Sequence, residues 1–152
     1  MATHSLLLLF LLSLFCFSQA APVDHDTHGT TDSKCPLLVK IVDNVRGVPA
    51  SEIAVQGYRK AEDGSWILFA SGKSTKFGEI HDLINEEQFT KGMYKFEFQT
   101  KAYWKNLGIT AFYEYAQVDF TAHDPVHRHY TIALFISPFA FITTAVVSDP
   151  HE

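Results

Sequence analysis

Three histidines and an aspartate crowd one short stretch, "HDPVHRH", from His123 to His129. Imidazole and carboxylate groups are common zinc ligands, and His127 and His129, two apart, would share one face of a strand. The spacing matches none of the usual zinc patterns, which need three well-placed ligands, so a solvated turn with titratable rings is the simpler reading. His25 and His28 add only opportunistic metal affinity. No Gly-rich phosphate loop, no G-x-S-x-G elbow and no cysteine with a histidine partner is present, and the Glu86–Glu87 pair lies in a polar connection. The expectation is therefore a protein with no catalytic residue, no cofactor and no metal ligand set.

Lys40 in "LLVKIVD" poses a different question. Counting in twos places Lys40 and Val42 on one strand face, opposite Val39 and Ile41, so a cation stands on a largely apolar surface. Either its stem covers apolar area while the ammonium reaches water, or the cation guards the mouth of an apolar pocket.

The elements that must position such groups are mostly strands. "PLLVKIVDNV" is a β run followed by the turn "RGVPASE", and "IAVQGYRKA" with "SWILFASGK" flanks Asp63-Gly64, a strong hairpin signal. "FGEIHDL" and "MYKFEFQT" read as strands joined by "INEEQFTKG". One helix stands out, "TKAYWKNLG", with Thr100 expected to cap its first turn and Gly108 to end it in a left-handed conformation. After "YEYAQVDFTA" and the His-rich turn, the chain closes on "YTIALFISPFAFITTAVVS". Roughly eight short strands with one short helix indicate an antiparallel β-sandwich.

That closing segment is long enough to cross a bilayer, but Pro138 near its middle and threonines among its β-branched residues read as a hairpin. One face would carry Tyr130, Ile132, Leu134 and Ile136, then Phe139, Phe141, Thr143, Ala145 and Val147. The other would carry Thr131, Ala133 and Phe135, then Ala140, Ile142, Thr144 and Val146. Both faces are apolar. The inside of one sandwich can bury only one set, so the other must be covered by a ligand, another subunit, or both.

Composition sets the remaining bounds. The 152 residues carry a net charge of -5 with no basic cluster, which argues against nucleic acid. "MATHSLLLLFLLSLFCFSQA" has the apolar core and small residues of a secretory signal, giving expected boundaries of 1–20 for the signal, 21–34 for a disordered arm, 35–148 for the sandwich and 149–152 for a tail. A secreted chain with no membrane span follows. Of two cysteines only Cys35 would remain, either a free or capped thiol or a redox or interchain site.

The stretches "KCPLLVKIVD", "VRGVPA", "FASGK", "GEIH", "TKAYWKNLGI", "RHYTIAL", "SPF" and "TTAVVS" resemble the transthyretin family, in order and over nearly all of the expected mature chain. The resemblance implies two four-stranded sheets, a short helix after the fifth strand, dimers formed edge to edge, and a homotetramer of two dimers. It also implies a central channel with two sites for thyroid hormones, thyroxine and triiodothyronine, and a surface for retinol-binding protein. Carried over by position, Lys40 and Glu79 form the charged channel mouth. The deeper lining is Val42, Thr131, Ala133, Phe135, Ala140, Ile142, Thr144 and Val146. Arg46, Gly108, Ile109 and Phe139 would face retinol-binding protein. Two positions depart from the family pattern, Ile142 for a serine and Phe135 for a frequent leucine, and both should make the channel smaller and drier.

The same fold serves the transthyretin-like 5-hydroxyisourate hydrolases of purine catabolism, the alternative function. That group is expected to place histidine at position 40, arginine at 79, histidine at 131 and a terminal Tyr-Arg-Gly-Ser, where this chain has Lys40, Glu79, Thr131 and "TTAVV". Threonine cannot serve as a general base near neutral pH. A last expectation concerns His81: its protonation would loosen the subunit contacts, so an uncharged replacement would raise acid resistance.

Overall fold

Alternation of apolar and polar side chains builds nine strands and one helix in the computed structural model, which describes residues 35–149. The strands are β1 (Leu37–Asp43), β2 (Val48–Pro49), β3 (Ala54–Lys60), β4 (Trp66–Lys73), β5 (Glu79–Ile80), β6 (Gly92–Phe98), β7 (Ala116–Ala122), β8 (His129–Ser137) and β9 (Ala140–Ser148); helix α1 is Thr100–Asn106. The expected signal peptide, the arm and most of the tail lie outside the described residues. Among the described residues, no helix is long and apolar enough to cross a membrane.

The strands form two sheets. One has the order β2-β1-β8-β9, with β5 also pairing β1; the other is β4-β3-β6-β7. The antiparallel sandwich holds with one correction, because β1 and β8 run parallel, Leu37 opposite Tyr130 through Asp43 opposite Ile136. The extra strand relative to the expected count is Val48–Pro49, inside the segment read as a turn. It pairs with Val42 and Asp43 at the end of β1.

Between the sheets lies a core of Leu37, Val39, Ile41, Tyr94, Phe96, Phe98, Ile132, Leu134 and Ile136, all buried. Tyr94 and Phe120, and Phe96 and Phe120, stack across β6 and β7 with centroids 5.6 and 5.7 Å apart. Gly57, where the β3–β4 register shifts past the extra residue Phe69, makes room for this layer: a Cβ there would lie 2.7 Å from the Phe96 ring and 3.0 Å from Phe69.

The helix differs at one end from its sequence reading. Gln99, not Thr100, is the N-cap, without a side-chain cap bond, and Thr100 is the first helical residue, 5% exposed. Because β6 ends at Phe98, the Gln99 N–H is engaged by the Ala54 carbonyl at 2.9 Å and the helix starts at once. At the other end Gly108 has φ +72°. Its N–H donates to Lys105 O, and the Ile109 N–H donates to Trp104 O, the paired bonds of a Schellman ending. Ile109 then packs against the core beside buried Trp104.

Gly78 is the glycine the fold tolerates least. It has φ +72°, and an added Cβ would sit 2.4 Å from the Ile41 carbonyl oxygen, a backbone atom that cannot swing away. Gly78→Ala is expected to destabilise the chain by at least about 2 kcal/mol, left-handed strain plus a clash. Gly64→Ala, at φ +85° with open space around it, should cost only about 1 kcal/mol. Urea unfolding of the two variants at equal protein concentration checks the difference.

Candidate functional site: the outer face of the first sheet

The register of β5, β1, β8 and β9 decides which side chains meet. Lys40 lies opposite Glu79 on β5 and opposite Ala133 on β8. Val42 lies opposite Phe135, and Leu38 opposite Thr131. Across the hairpin, Thr131 pairs with Val146, Ala133 with Thr144, Phe135 with Ile142 and Ser137 with Ala140. The even-numbered set on β1, the odd-numbered set on β8 and the even-numbered set on β9 therefore share one outward face. Tyr130, Ile132, Leu134 and Ile136 point the other way, none more than 8% exposed.

All ten residues expected at a channel are thus brought to one surface, with Lys40 and Glu79 at its margin. Leu38 belongs there too, and counting in twos from Lys40 would have found it. The face is apolar and open: Ile142 is 62% and Val146 60% exposed. The inner set counted on β9 fares differently, since Thr143, Ala145 and Val147 are exposed as well. Strand β9 is the sheet edge, with no neighbour beyond it among the described residues. An apolar strand bare on both faces and along one edge invites another strand.

At the margin, Lys40 Nζ lies 3.1 Å from Glu79 Oε1, and His81 Nε2 lies 2.9 Å from Glu79 Oε2. Burial by itself raises the Glu79 carboxyl, but hydrogen bonds from His81 and Lys40 outweigh it and hold it below the usual carboxylate range. The expected effect of His81 on subunit contacts lies beyond a single chain; within the chain its ring is a hydrogen-bond partner of Glu79. By that bond His81 supports the Glu79 carboxylate. A carboxylate whose folded pKa is depressed adds stability above its unfolded value, near pH 4.3, and loses it as pH falls through the folded value. His81→Gln should accordingly leave acid resistance unchanged or lower it. Fluorescence-detected unfolding between pH 3 and 6 reads this, and a clear gain would assign His81 a destabilising role instead.

Cys35 adjoins this margin. Its sulfur lies 2.9 Å from Leu37 O and also contacts His81 O, the one S–H being shared between the two acceptors, and burial with the Asp82 charge pushes the thiol up against the lowering by the Leu37 bond. A thiol held protonated is a poor nucleophile.

The histidine stretch does not assemble. His127 lies in the turn before β8, not on the strand, with Nδ1 2.9 Å from Asp124 Oδ1, while His129 begins β8 and turns its Nδ1 to the Cys35 carbonyl at 3.0 Å. His123 is exposed, and among the described residues no three His, Cys, Asp or Glu side chains converge on a common point.

The four residues expected at a protein partner gather at one end of the sandwich. Arg46 is committed inward: its Nε bonds Asp43 Oδ2 at 2.7 Å and its Nη2 bonds the Tyr103 hydroxyl. Gly108 has open space beside it, Ile109 packs against the core, and Phe139, 67% exposed, stacks on Phe112 at 6.2 Å. The Phe112 N–H donates to Pro138 O at 2.8 Å, tying the segment after α1 to the β8–β9 turn.

The site is thus a two-sheet β-sandwich with an open apolar outer face, a lysine–glutamate pair at its margin and, among the described residues, unpaired sheet edges at β7 and β9. Residues 37–144 match the model of the HIUase/transthyretin family. The chain is 53% identical to transthyretin of Aquarana catesbeiana over 144 residues, 95% of this chain and 94% of that one. Two solved structures superpose on it, transthyretin from Sparus aurata (TM-score 0.74, 52% identity, 76% of this chain and all of that one) and sea bream transthyretin in complex with thyroxine (TM-score 0.73, 54% identity, 78% and 100%). The chain belongs to the HIUase/transthyretin family.

Proposed function

We propose that this protein is a secreted carrier that binds thyroid hormones in a channel formed where the outer faces of two chain pairs meet in a homotetramer. The observation that carries the reading is the Lys40–Glu79 pair, 3.1 Å apart at the rim of the apolar face. A thyroid hormone has an amino-acid head and a halogenated two-ring body. The carboxylate suits Lys40 and the ammonium suits Glu79, while the rings suit Ala133, Phe135, Ile142 and Thr144 beyond them. The relative solved with thyroxine bound supports the choice of ligand. Edge pairing through β9 and β7 would join chains into dimers, and the outer faces would then close on one another. The exposed aromatics at the helical end, Phe139 and Phe112, would serve retinol-binding protein.

Native mass spectrometry with and without thyroxine tests subunit count and occupancy together. Lys40→Ala is expected to weaken thyroxine about tenfold, the cost of one rim contact to a charged group. Ile142 and Phe135 crowd the inner channel, so in a competition titration hormones with fewer or smaller outer-ring halogens should bind more tightly than the fully iodinated one.

The hydrolase reading competes because the family includes both functions. Lys40, Glu79 and Thr131 stand on this face where a hydrolase is expected to have histidine, arginine and histidine, and Lys40 is paired to Glu79. No hydroxyisourate turnover above background is expected.

A further inference from the structure

At the end of the second sheet remote from α1, a cleft of about 520 Å³ opens between the β3–β4 turn and the segment after β5. None of its lining residues belongs to the outer face that carries Lys40. Its floor is apolar and fixed. Ile84 is 5% exposed and Tyr94 fully buried, with the Tyr94 hydroxyl donating to Thr90 O at 2.6 Å and Phe69 set edge-on to its ring at 5.6 Å. Ile67, 56% exposed, forms a wall.

Two cations stand at the rim, Arg59 and Lys60, and among the described residues neither has a carboxylate partner. Arg59 is nevertheless held in place. Its Nη2 donates to Lys91 O at 3.2 Å, and Gly92 leaves it room, since a Cβ there would lie 3.3 Å from Nε. Among the described residues its remaining N–H groups have no hydrogen-bond acceptor. Both sides of the cleft are built by local bonds rather than by mobile loop. Asp63 Oδ1 accepts from the Ser65 N–H at 2.9 Å and its hydroxyl at 2.7 Å, and Ala61 N–H donates to Ser65 O. On the other side, Asn85 Oδ1 accepts from the Gln88 N–H at 2.9 Å. Glu62 is the one carboxylate in the lining, so the net local charge is a single positive unit.

We propose that this cleft is a second ligand site, distinct from the hormone face, for a small amphipathic monoanion: a carboxylate head on Arg59 and Lys60 and a planar apolar body lying on Phe69 and Ile84, which the buried Tyr94 ring supports from beneath, against Ile67. The volume falls in the range of small-molecule sites, which combine an apolar lining with a few fixed polar groups. A guanidinium oriented by one neutral carbonyl and open on its other edge can receive a carboxylate through two N–H groups. Glu62 limits the head to one negative charge and disfavours dianions.

The test is calorimetric titration of the full-length mature protein with 2-naphthoate, in the presence of saturating thyroxine to occupy the hormone face. One equivalent should bind per chain with a submillimolar constant. Arg59→Gln should weaken it about tenfold and Ile67→Asp should abolish it; both side chains are exposed, so the variants should unfold at the parent's urea midpoint. Lys105→Ala, an exposed cation outside the cleft, should leave naphthoate binding unchanged, and Glu62→Gln should tighten it several-fold, a gain that a merely structural residue would not give. The site is refuted if thyroxine displaces all the naphthoate, if Arg59→Gln binds like the parent, or if no binding is seen at about 1 mM. Failure of the parent protein to bind thyroxine would instead sink the carrier reading, leaving the Arg59 comparison to judge the cleft.

Discussion

Replacing Asp43 by alanine should cost the chain about 3 kcal/mol, the low end for breaking a buried ion pair because Arg46 keeps partial access to water. The Asp43 side chain is wholly buried at the end of β1. Its Oδ1 accepts from the Val45 and Arg46 N–H groups at 2.9 and 3.0 Å, and its Oδ2 accepts from Arg46 Nε at 2.7 Å and the Tyr103 hydroxyl at 2.9 Å. One carboxylate thereby shapes the β1–β2 turn, fixes Arg46 and anchors α1 to the first sheet. Alanine leaves all four donors without their acceptor in a poorly hydrated place. Asp43→Asn keeps the shape, but its amide cannot accept at both ends and it loses the charge.

The pH dependence follows from the same geometry. Burial would raise the Asp43 carboxyl, yet the Arg46 guanidinium and N–H, the Tyr103 hydroxyl and the Val45 N–H together hold it below the usual carboxylate range. Its folded value is depressed, so its contribution is complete above the ordinary aspartate value of about 3.9 and fades as pH drops through the folded value. The parent should lose stability steeply below about pH 4, and Asp43→Ala should show a shallower slope in that window. Urea midpoints at fixed protein concentration from pH 2.5 to 7 read both effects. Equal slopes would remove Asp43 from the acid response.

Ile142→Glu should leave a single chain folded and destroy what the chains build together. The side chain is 62% exposed on β9 and touches its cross-strand neighbour Phe135, so the fold loses little. Under the carrier proposal that face meets its own copies about two-fold axes, so each substitution is repeated and like charges face each other in a dry channel. Tetramers should give way to dimers, and thyroxine affinity should drop by at least about 100-fold, the cost of an unpaired buried charge. Leu68→Glu, 51% exposed on the other sheet, should leave both unchanged. Sedimentation velocity with and without thyroxine separates the outcomes. Intact tetramers that still bind hormone would show that another surface makes the channel.

Much of this was legible in the residues because strand periodicity is local. The hairpin from Tyr130 to Ser148 announced two apolar faces by its alternation alone. The buried one is the set Tyr130, Ile132, Leu134 and Ile136 that counting separated. Gly108 announced the end of the helix because few other residues accept a left-handed φ. Thr100 misled for the opposite reason: its type suits a cap, but the packing of β6 against Ala54 set the helix start one residue earlier, where Gln99 stands.

What periodicity could not supply is which strands meet. Glu79 reached Lys40 in the sequence reading only through family resemblance, since nothing in "GEIH" says that β5 pairs with β1 at that register. The Asp43–Arg46–Tyr103 cluster and the cleft between the β3–β4 turn and Ile84 went unseen, because each joins segments distant along the chain. The parallel β1–β8 pairing was hidden likewise. By itself the sequence determined the strands, their faces and the surplus of apolar surface, all set by the two-residue period of the backbone. The tertiary structure decided which faces became one surface and which charges stand at its rim, because pairing register is settled by packing between distant segments.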